Sequence, residues 1–175
     1  PLFPSYRSPM ADLFGLRFIA SGVPIERIDS SLQPGDLPLV ARTADAYVHE
    51  NPRAFPRVFV AADWAPADFG QMIQDGRWPA IDLRRTVLLE RPVEAPSSSE
   101  AGGTARIVSY GNTQVVVEGE APSGGFLVLN DVWHPWWRAS IDGLSVLAVY
   151  RGKEILREKG LAFGIKLEAP TSACR

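Results

Sequence analysis

Residues 125–143, GFLVLNDVWHPWWRASIDG, decide how the rest of this chain is read. Phe126 to Leu129 make a short apolar run of strand length, and Asn130 and Asp131 end it with turn chemistry. Pro135 has no N–H to offer a ladder, so regular pairing stops there and resumes where alternation returns, from Trp137 to Ile141. Asp142-Gly143 then supplies the positive-φ positions of a tight turn into LSVLAV. The stretch predicts two strands joined by a corner that carries three tryptophans.

The same pattern extends outward on both sides. Upstream, ARIVSY and TQVVVEGE flank Gly111-Asn112, a two-residue hairpin signal, and everything from there to Val149 reads as strand without helical periodicity. Short strands at close intervals favour an antiparallel sandwich over a parallel sheet with crossover helices. Residues 93–103, rich in Pro, Ser and Gly, read as a linker or exposed loop, and Gly102-Gly103 is no phosphate cradle because it precedes a strand.

Nearer the N-terminus, SPMADLFG predicts a short helical turn with Ser8 as N-cap, Pro9 at the first helical position and Gly15 as the stop. LRFIAS follows as a strand. Residues 37–42 and 46–50 form two more around a Thr43-Ala44-Asp45 turn, and RVFVAA joins them in a small sheet. Phe69, Met72 and Ile73 at helical spacing, with Gly76 behind them, predict a helix over 66–74, packed onto that sheet by Trp64 and Trp78. Residues 86–90 return to strand. The expected fold is α+β, mostly β: a small N-terminal mixed sheet with one helix over residues 1–92, a linker over 93–103, and an antiparallel β-sandwich over 104–175 that ends in an atypical tail.

Composition narrows the function classes. With 175 residues, 46 % of them hydrophobic, the chain suffices for one domain or two small ones. Its 18 basic and 20 acidic side chains leave a net charge of -2, which gives no electrostatic case for nucleic acid or for an anionic membrane surface. Apolar runs fall far short of the roughly 20 residues of a membrane-spanning helix, and no charged segment followed by an apolar one marks export at the N-terminus. Cys174 is the sole cysteine, so no internal disulfide and no cysteine-based metal site is expected. Pro1 without a preceding Met is expected of a piece cut from something longer or of a processed terminus.

Catalytic motifs are absent from the sequence. There is no G-x-S-x-G elbow and no G-x-x-x-x-G-K-[ST] loop, and His49 and His134 lack the i, i+4 spacing of a helical zinc pair. Asp131 and Asp142 flank the Trp-rich corner and could serve acid–base chemistry, but each also has a turn reason to be acidic. No catalytic residue, metal or cofactor is therefore assigned. The candidate ligand-binding residues are Trp133, Trp136, Asp131 and His134 at the corner, with Arg53 and Arg57 farther upstream. Indole faces stack on sugar C–H faces or anchor in lipid headgroups, and Trp137 is the one expected in the core because it alternates with Ala139 and Ile141. Arg53, Arg57, Arg138 and Arg84-Arg85 could meet phosphate or an anionic headgroup, or line solvated strand edges.

Four blocks in order, ADLFGLRFIA, AYVHENPRAFPRVFVA, IDLRRTVLLE and GFLVLNDVWHPWWRASIDGLSV, resemble the C-terminal soluble region of the YfhO-like bacterial polytopic membrane proteins, over roughly residues 10–143. Two features depart from that family's pattern. Trp136 stands where the pattern has Gly, and the sequence after Val149 does not follow the family's closing strand, so either a frame difference or divergence of the tail is expected. A missing last strand would leave an unpaired sheet edge. The resemblance implies a domain on the extracytoplasmic face of the cell membrane, attached to its own upstream transmembrane helices and accessory to glycosyl transfer from a lipid-linked sugar onto envelope glycan or lipid. It also implies that the catalytic carboxylate lies in a membrane-proximal loop outside this chain. The alternative from another class is a carbohydrate-binding or protein-interaction module of a soluble protein.

Overall fold

Ser8 and Pro9 begin the first helix as their chemistry requires: the Ser8 hydroxyl accepts the Ala11 N–H at 3.3 Å, and Pro9 occupies the first turn, where no N–H is needed. This helix, α1 (Pro9–Leu13), ends at Gly15, whose φ of +65° a side chain would resist. The computed structural model describes residues 5–93, 102–131, 137–142, 144–145, 149–150, 153–156 and 160–168. It is mostly β with few helices, in several antiparallel sheets, and it divides into two compact units, Pro1–Arg57 and Val58–Arg175.

In the first unit, β1 (Phe18–Ser21), β2 (Leu39–Arg42) and β3 (Tyr47–Glu50) form an antiparallel sheet with β3 in the middle. The Thr43 turn joins β2 to β3 as expected: Thr43 Oγ1 accepts the Ala46 N–H at 3.0 Å. Ile19, Ile25 and Leu37 are the buried hydrophobic core, with Tyr6, Leu16 and Leu32 packed against it. Among the described residues this cluster is small, and polar contacts accompany it.

The second unit opens with β4 (Val58–Ala61). It was expected in the N-terminal sheet, but it pairs elsewhere, and the reason lies in a later strand. After β5 (Asp63–Pro66), α2 (Phe69–Asp75), β6 (Thr86–Leu89), β7 (Thr104–Tyr110) and β8 (Gln114–Ala121) comes β9 (Gly125–Leu129), the GFLVL run, all five of whose residues are buried. A strand apolar on both faces needs cover on both. Leu127 and Leu129 pack with Val58, Val60, Val115, Val117, Ala121 and Ala139, while Phe126 and Val128 pack with Ala61, Val87 and Leu89. The VFVA sequence of β4 alternates in the same way, so it suits the place beside β9, where Val58 pairs with Leu129 and Ala61 with Phe126.

The result is three layers. The middle sheet runs β12 (Val149–Tyr150), β13 (Lys153–Leu156), β9, β4; the outer sheet runs β11 (Leu144–Ser145), β10 (Arg138–Ile141), β14 (Gly160–Glu168), β8, β7; and β5 with β6 covers the other face. The β5–β6 pair is parallel and joined through α2, a crossover that the sequence reading did not anticipate. Its helix begins at Asp68, whose carboxylate accepts the Gln71 N–H at 3.0 Å, and ends at left-handed Gly76. The expectation that Trp64 and Trp78 pack this helix onto the N-terminal sheet is not met in that form: no residue of α2 is fully buried, Phe69, Met72 and Trp78 being half-buried and Ile73 69 % exposed. Trp64 does pack inward, against the cluster built on Phe126.

The hairpin between β7 and β8 forms, with Gly111 N–H bonding Gln114 O at 2.8 Å, so its loop is Asn112-Thr113, one residue later than expected. The register slips between Ile107 and Ser109, leaving Val108 as a bulge. Asp142, at φ +50°, lies between paired Ile141 and Leu144, as the Asp-Gly turn predicts; Gly143 lies outside the described residues. The divergent tail supplies strands after all: β13 pairs with β9, and β14 inserts between β10 and β8. The expected unpaired edge at that position is therefore not present.

Gly102 and Gly103 let two edges meet. Gly103 bridges Val60 of β4, and a Cβ built on it would stand 1.8 Å from the Glu120 carbonyl oxygen of β8; on Gly102 it would stand 2.4 Å from the Val60 carbonyl oxygen. Backbone oxygens cannot swing aside as side-chain ends do. Gly103→Ala is therefore expected to cost about 1–3 kcal/mol, the range for overpacking, whereas Gly35→Ala, with open space around its Cβ but a φ of +91°, meets only the backbone penalty of that conformation. Urea titration of both variants checks this; equal losses would remove the close-approach explanation.

Candidate functional site

Arg53 lies in the AYVHENPRAFPRVFVA block and acts as a clasp within the first unit. Its Nη1 donates to Asp36 O and its Nη2 to Tyr6 O, both at 3.3 Å, and Nε sits 3.4 Å from Asp12 Oδ2. Asp12 Oδ1 in turn accepts Asn51 Nδ2 at 2.8 Å, and Asn51 is 1 % exposed. Asn51 Oδ1 accepts the Arg53 N–H at 3.1 Å, while the backbone of Asp12 takes the Phe55 N–H at 2.8 Å. One guanidinium and one buried amide thus tie α1, the loop before β2 and the end of β3 together. A planar five-donor group suits this task, and Lys could not reproduce it. Arg57, the other arginine of the block, is exposed immediately before β4.

A second polar knot surrounds Asp29. Its Oδ2 accepts Ser5 Oγ at 2.7 Å and Tyr6 N–H at 2.8 Å, and its Oδ1 accepts Ser31 Oγ at 2.6 Å and Ser31 N–H at 3.0 Å. Burial pushes this carboxyl up, but the four hydrogen bonds outweigh it and hold the group down at about 2. His49 is buried beside the same core and its Nδ1 lies 2.8 Å from Leu37 O, which fits a structural histidine better than a ligand. Its Nε2 has no hydrogen-bond partner among the described residues.

In the second unit, Asp131 is half-buried at the end of β9 and its Oδ2 accepts the Tyr110 hydroxyl, which comes from the end of β7. The Asp131 N–H closes a short turn on Leu129 O at 3.1 Å. Trp137 packs against the Leu127 and Val117 cluster with Ile141, on the face where Ala139 is buried, as the alternation predicts. Arg138 is exposed and reaches the Trp137 carbonyl oxygen at 3.4 Å. Trp133, His134 and Trp136 lie outside the described residues. The register nonetheless places the two ends of their segment, Asp131 and Trp137, at the sandwich end that holds Tyr110, Gln114 and Arg138. Asp142 sits at the opposite end of β10, so it and Asp131 do not form a carboxylate pair across the corner.

Arg84 and Arg85 shape a loop. The Arg84 N–H bonds Asp82 Oδ1 at 2.9 Å, and Arg85 O accepts the N–H groups of both Ala62 and Asp63. Among the described residues no three His, Cys, Asp or Glu side chains gather as a metal site, and no helix is long and apolar enough to cross a membrane. Asp12, Asn51, Asp29 and Tyr110 were not singled out from the sequence. Only Asn51 carries a signal there, as a short polar amide ending a strand directly before Pro52. Comparison of the chain with protein-family models, curated proteins and solved structures yields no match.

Two outcomes follow for the first unit. Asp29 is held below the ordinary carboxyl value of 3.8, so its contribution is full above about pH 4 and disappears as pH falls toward 2. A shift of that size corresponds to stabilisation on the order of 2 kcal/mol. Denaturant midpoints between pH 5 and pH 2 should fall less steeply in Asp29→Asn than in the native chain. Arg53→Ala should cost about 2 kcal/mol through its lost charged hydrogen bonds, and Arg53→Lys should recover only part of it; full recovery by Lys would show that charge alone matters.

Proposed function

We propose that this chain is a non-catalytic extracytoplasmic domain of a YfhO-like polytopic membrane protein, serving glycosylation of cell-envelope glycan or lipid and contacting a sugar or lipid headgroup. The observation that carries this reading is where the four resembling blocks fall. ADLFGLRFIA builds α1 and β1; AYVHENPRAFPRVFVA builds β3, the Asn51–Arg53 clasp and β4; IDLRRTVLLE leads into β6; and the last block contains β9 and β10. The blocks thus coincide with β1, β3, β4, β6, β9 and β10 and with the clasp of the first unit, and this coincidence supports the reading.

The domain's role in this reading is to bind and position, with the reacting carboxylate supplied by the parent's membrane-proximal loop. The sandwich end that holds Tyr110, Asp131 and Arg138 offers a half-exposed aromatic ring, a carboxylate and a guanidinium, a set that suits the C–H faces and hydroxyls of a sugar. A soluble carbohydrate-binding module could use the same end, and the parent gene separates the two. Translation upstream of Pro1 is expected to reveal a series of apolar spans, each near the roughly 20 residues of a bilayer crossing. A short reading frame without such spans would overturn the membrane assignment and leave the soluble module.

A further inference from the structure

An antiparallel strand uses its backbone groups alternately, one residue bonding the neighbour on one side and the next residue the neighbour on the other. In the first unit the Asn51 N–H bonds Arg17 O at 2.7 Å, and Ile19 pairs with His49 and Ser21 with Tyr47, so residues 17, 19 and 21 are the ones that bond β3. The Glu50 N–H turns the other way, to Pro38 O at 3.0 Å, as the same alternation requires. Phe18 and Ala20 therefore aim their N–H and C=O groups at the far side of β1. That side is an outer edge of the sheet, and no strand lies along it among the described residues. Both residues are exposed, Phe18 to 54 %.

Edges left open in this way are ordinarily blunted. The opposite edge, β2, is preceded by Pro38, broken by a bulge at Val40 and closed by Arg42. β7, at the edge of the five-stranded sheet, carries Arg106 and the bulge at Val108. The FIAS sequence of β1 has no proline and no charge, and its register with β3 runs without a slip. Four aligned backbone groups with none of these devices fit an added strand, and β1 itself supplies the complementary one.

We infer that β1 pairs antiparallel with β1 of a second copy about a two-fold axis at Ile19, joining two three-stranded sheets into one of six. In this register Phe18 faces Ala20 of the second copy, and the two-fold repeats the pairing, so four hydrogen bonds satisfy every outward group of both strands. Phe18, a large ring, then lies against a small methyl group. Arg17 faces Ser21 and no like charges stand opposite. Charge is also complementary at each end of the seam. Arg17 is 67 % exposed, and the end of the second copy that it approaches carries exposed Asp45, whose carbonyl oxygen is 3.9 Å from a Cβ built on Gly22. Arg42 of that copy is two strands beyond Ser21 and stacked on Tyr47. A seam of four residues a side is small beside the roughly 1,200–2,000 Å² of a stable complex, so the dimer is weak and depends on concentration. Nothing in this inference rests on the membrane reading above.

The test is sedimentation equilibrium of the 175-residue chain from micromolar to millimolar concentration, with amide hydrogen exchange followed by NMR at both extremes. Reducing buffer keeps Cys174 from cross-linking copies. A monomer–dimer equilibrium is expected, with the Phe18 and Ala20 amides gaining protection as the dimer fills. Ala20→Pro removes one outward donor from each copy, hence two of the four bonds, and leaves the bonds to β3 in place; it should weaken dimerisation about tenfold or more. Phe18→Lys should weaken it through the side chain alone. Unchanged circular dichroism and urea midpoints verify that the variants fold, and if Ala20→Pro does not, Phe18→Lys and the exchange data decide. A chain that stays monomeric at millimolar concentration overturns the proposal. So does a dimer in which the Phe18 and Ala20 amides gain no protection, or one that the folded variants form as readily as the native chain.

Discussion

Exclusion of water from both faces of one five-residue strand governs the architecture of the larger unit. GFLVL has no polar face to turn outward, and each of its four large apolar side chains is worth about 1.5–3 kcal/mol if buried. Two opposed surfaces must therefore be assembled around it, one from the five-stranded sheet and one from β5 and β6. The second surface explains why Val87 and Leu89, remote from the sandwich in sequence, belong to its packing. It also explains β4, whose two faces meet the same two surfaces. Glycines at 103 and 125 are the complement of this crowding. Where layers press together the backbone itself becomes the contact surface, and at Gly125 a Cβ would stand 2.6 Å from the Ala61 carbonyl oxygen.

The smaller unit solves a different problem. Among the described residues its hydrophobic cluster, Ile19, Ile25 and Leu37, is small for a chain of that length. Hydrogen-bonded carboxylates make up part of the difference, with Asp29 gathering the segments around Ser5 and Ser31 and Asp12 meeting Asn51 and Arg53. Such knots specify geometry more than they add net free energy, because each charge must first leave water. They fix where the strand ends and loops sit relative to α1.

Local chemistry was legible in the sequence and long-range partnership was not. Ser8, Pro9 and Gly15 define α1 through capping, Thr43 defines the turn between β2 and β3, and the alternation of Trp137 with Ala139 and Ile141 correctly gives a core tryptophan. Each of these depends on residues a few positions apart. The pairing of β4 with β9 and the parallel match of β5 with β6 depend on segments tens of residues distant, and a four-residue apolar strand carries no label for its partner. Phe69, Met72 and Ile73 illustrate the opposite hazard, since their spacing gave the helix correctly but periodicity does not say what lies against the stripe. At the candidate site, Asp131 was found through its turn position, whereas Tyr110 ends a strand on the far side of a hairpin and Arg53 looked like a free cation.

The C-terminal strands also impose an order on biosynthesis. β13 flanks the buried strand β9, and β14 occupies an interior position between β10 and β8. Until these segments have been translated, β9 lacks one neighbour and the five-stranded sheet has a gap at its centre. The first unit has all its strands within the first 50 residues and can close while synthesis continues. The larger unit waits with apolar strand edges open while β10 to β14 are translated, and in that interval its strands are most exposed to mispairing.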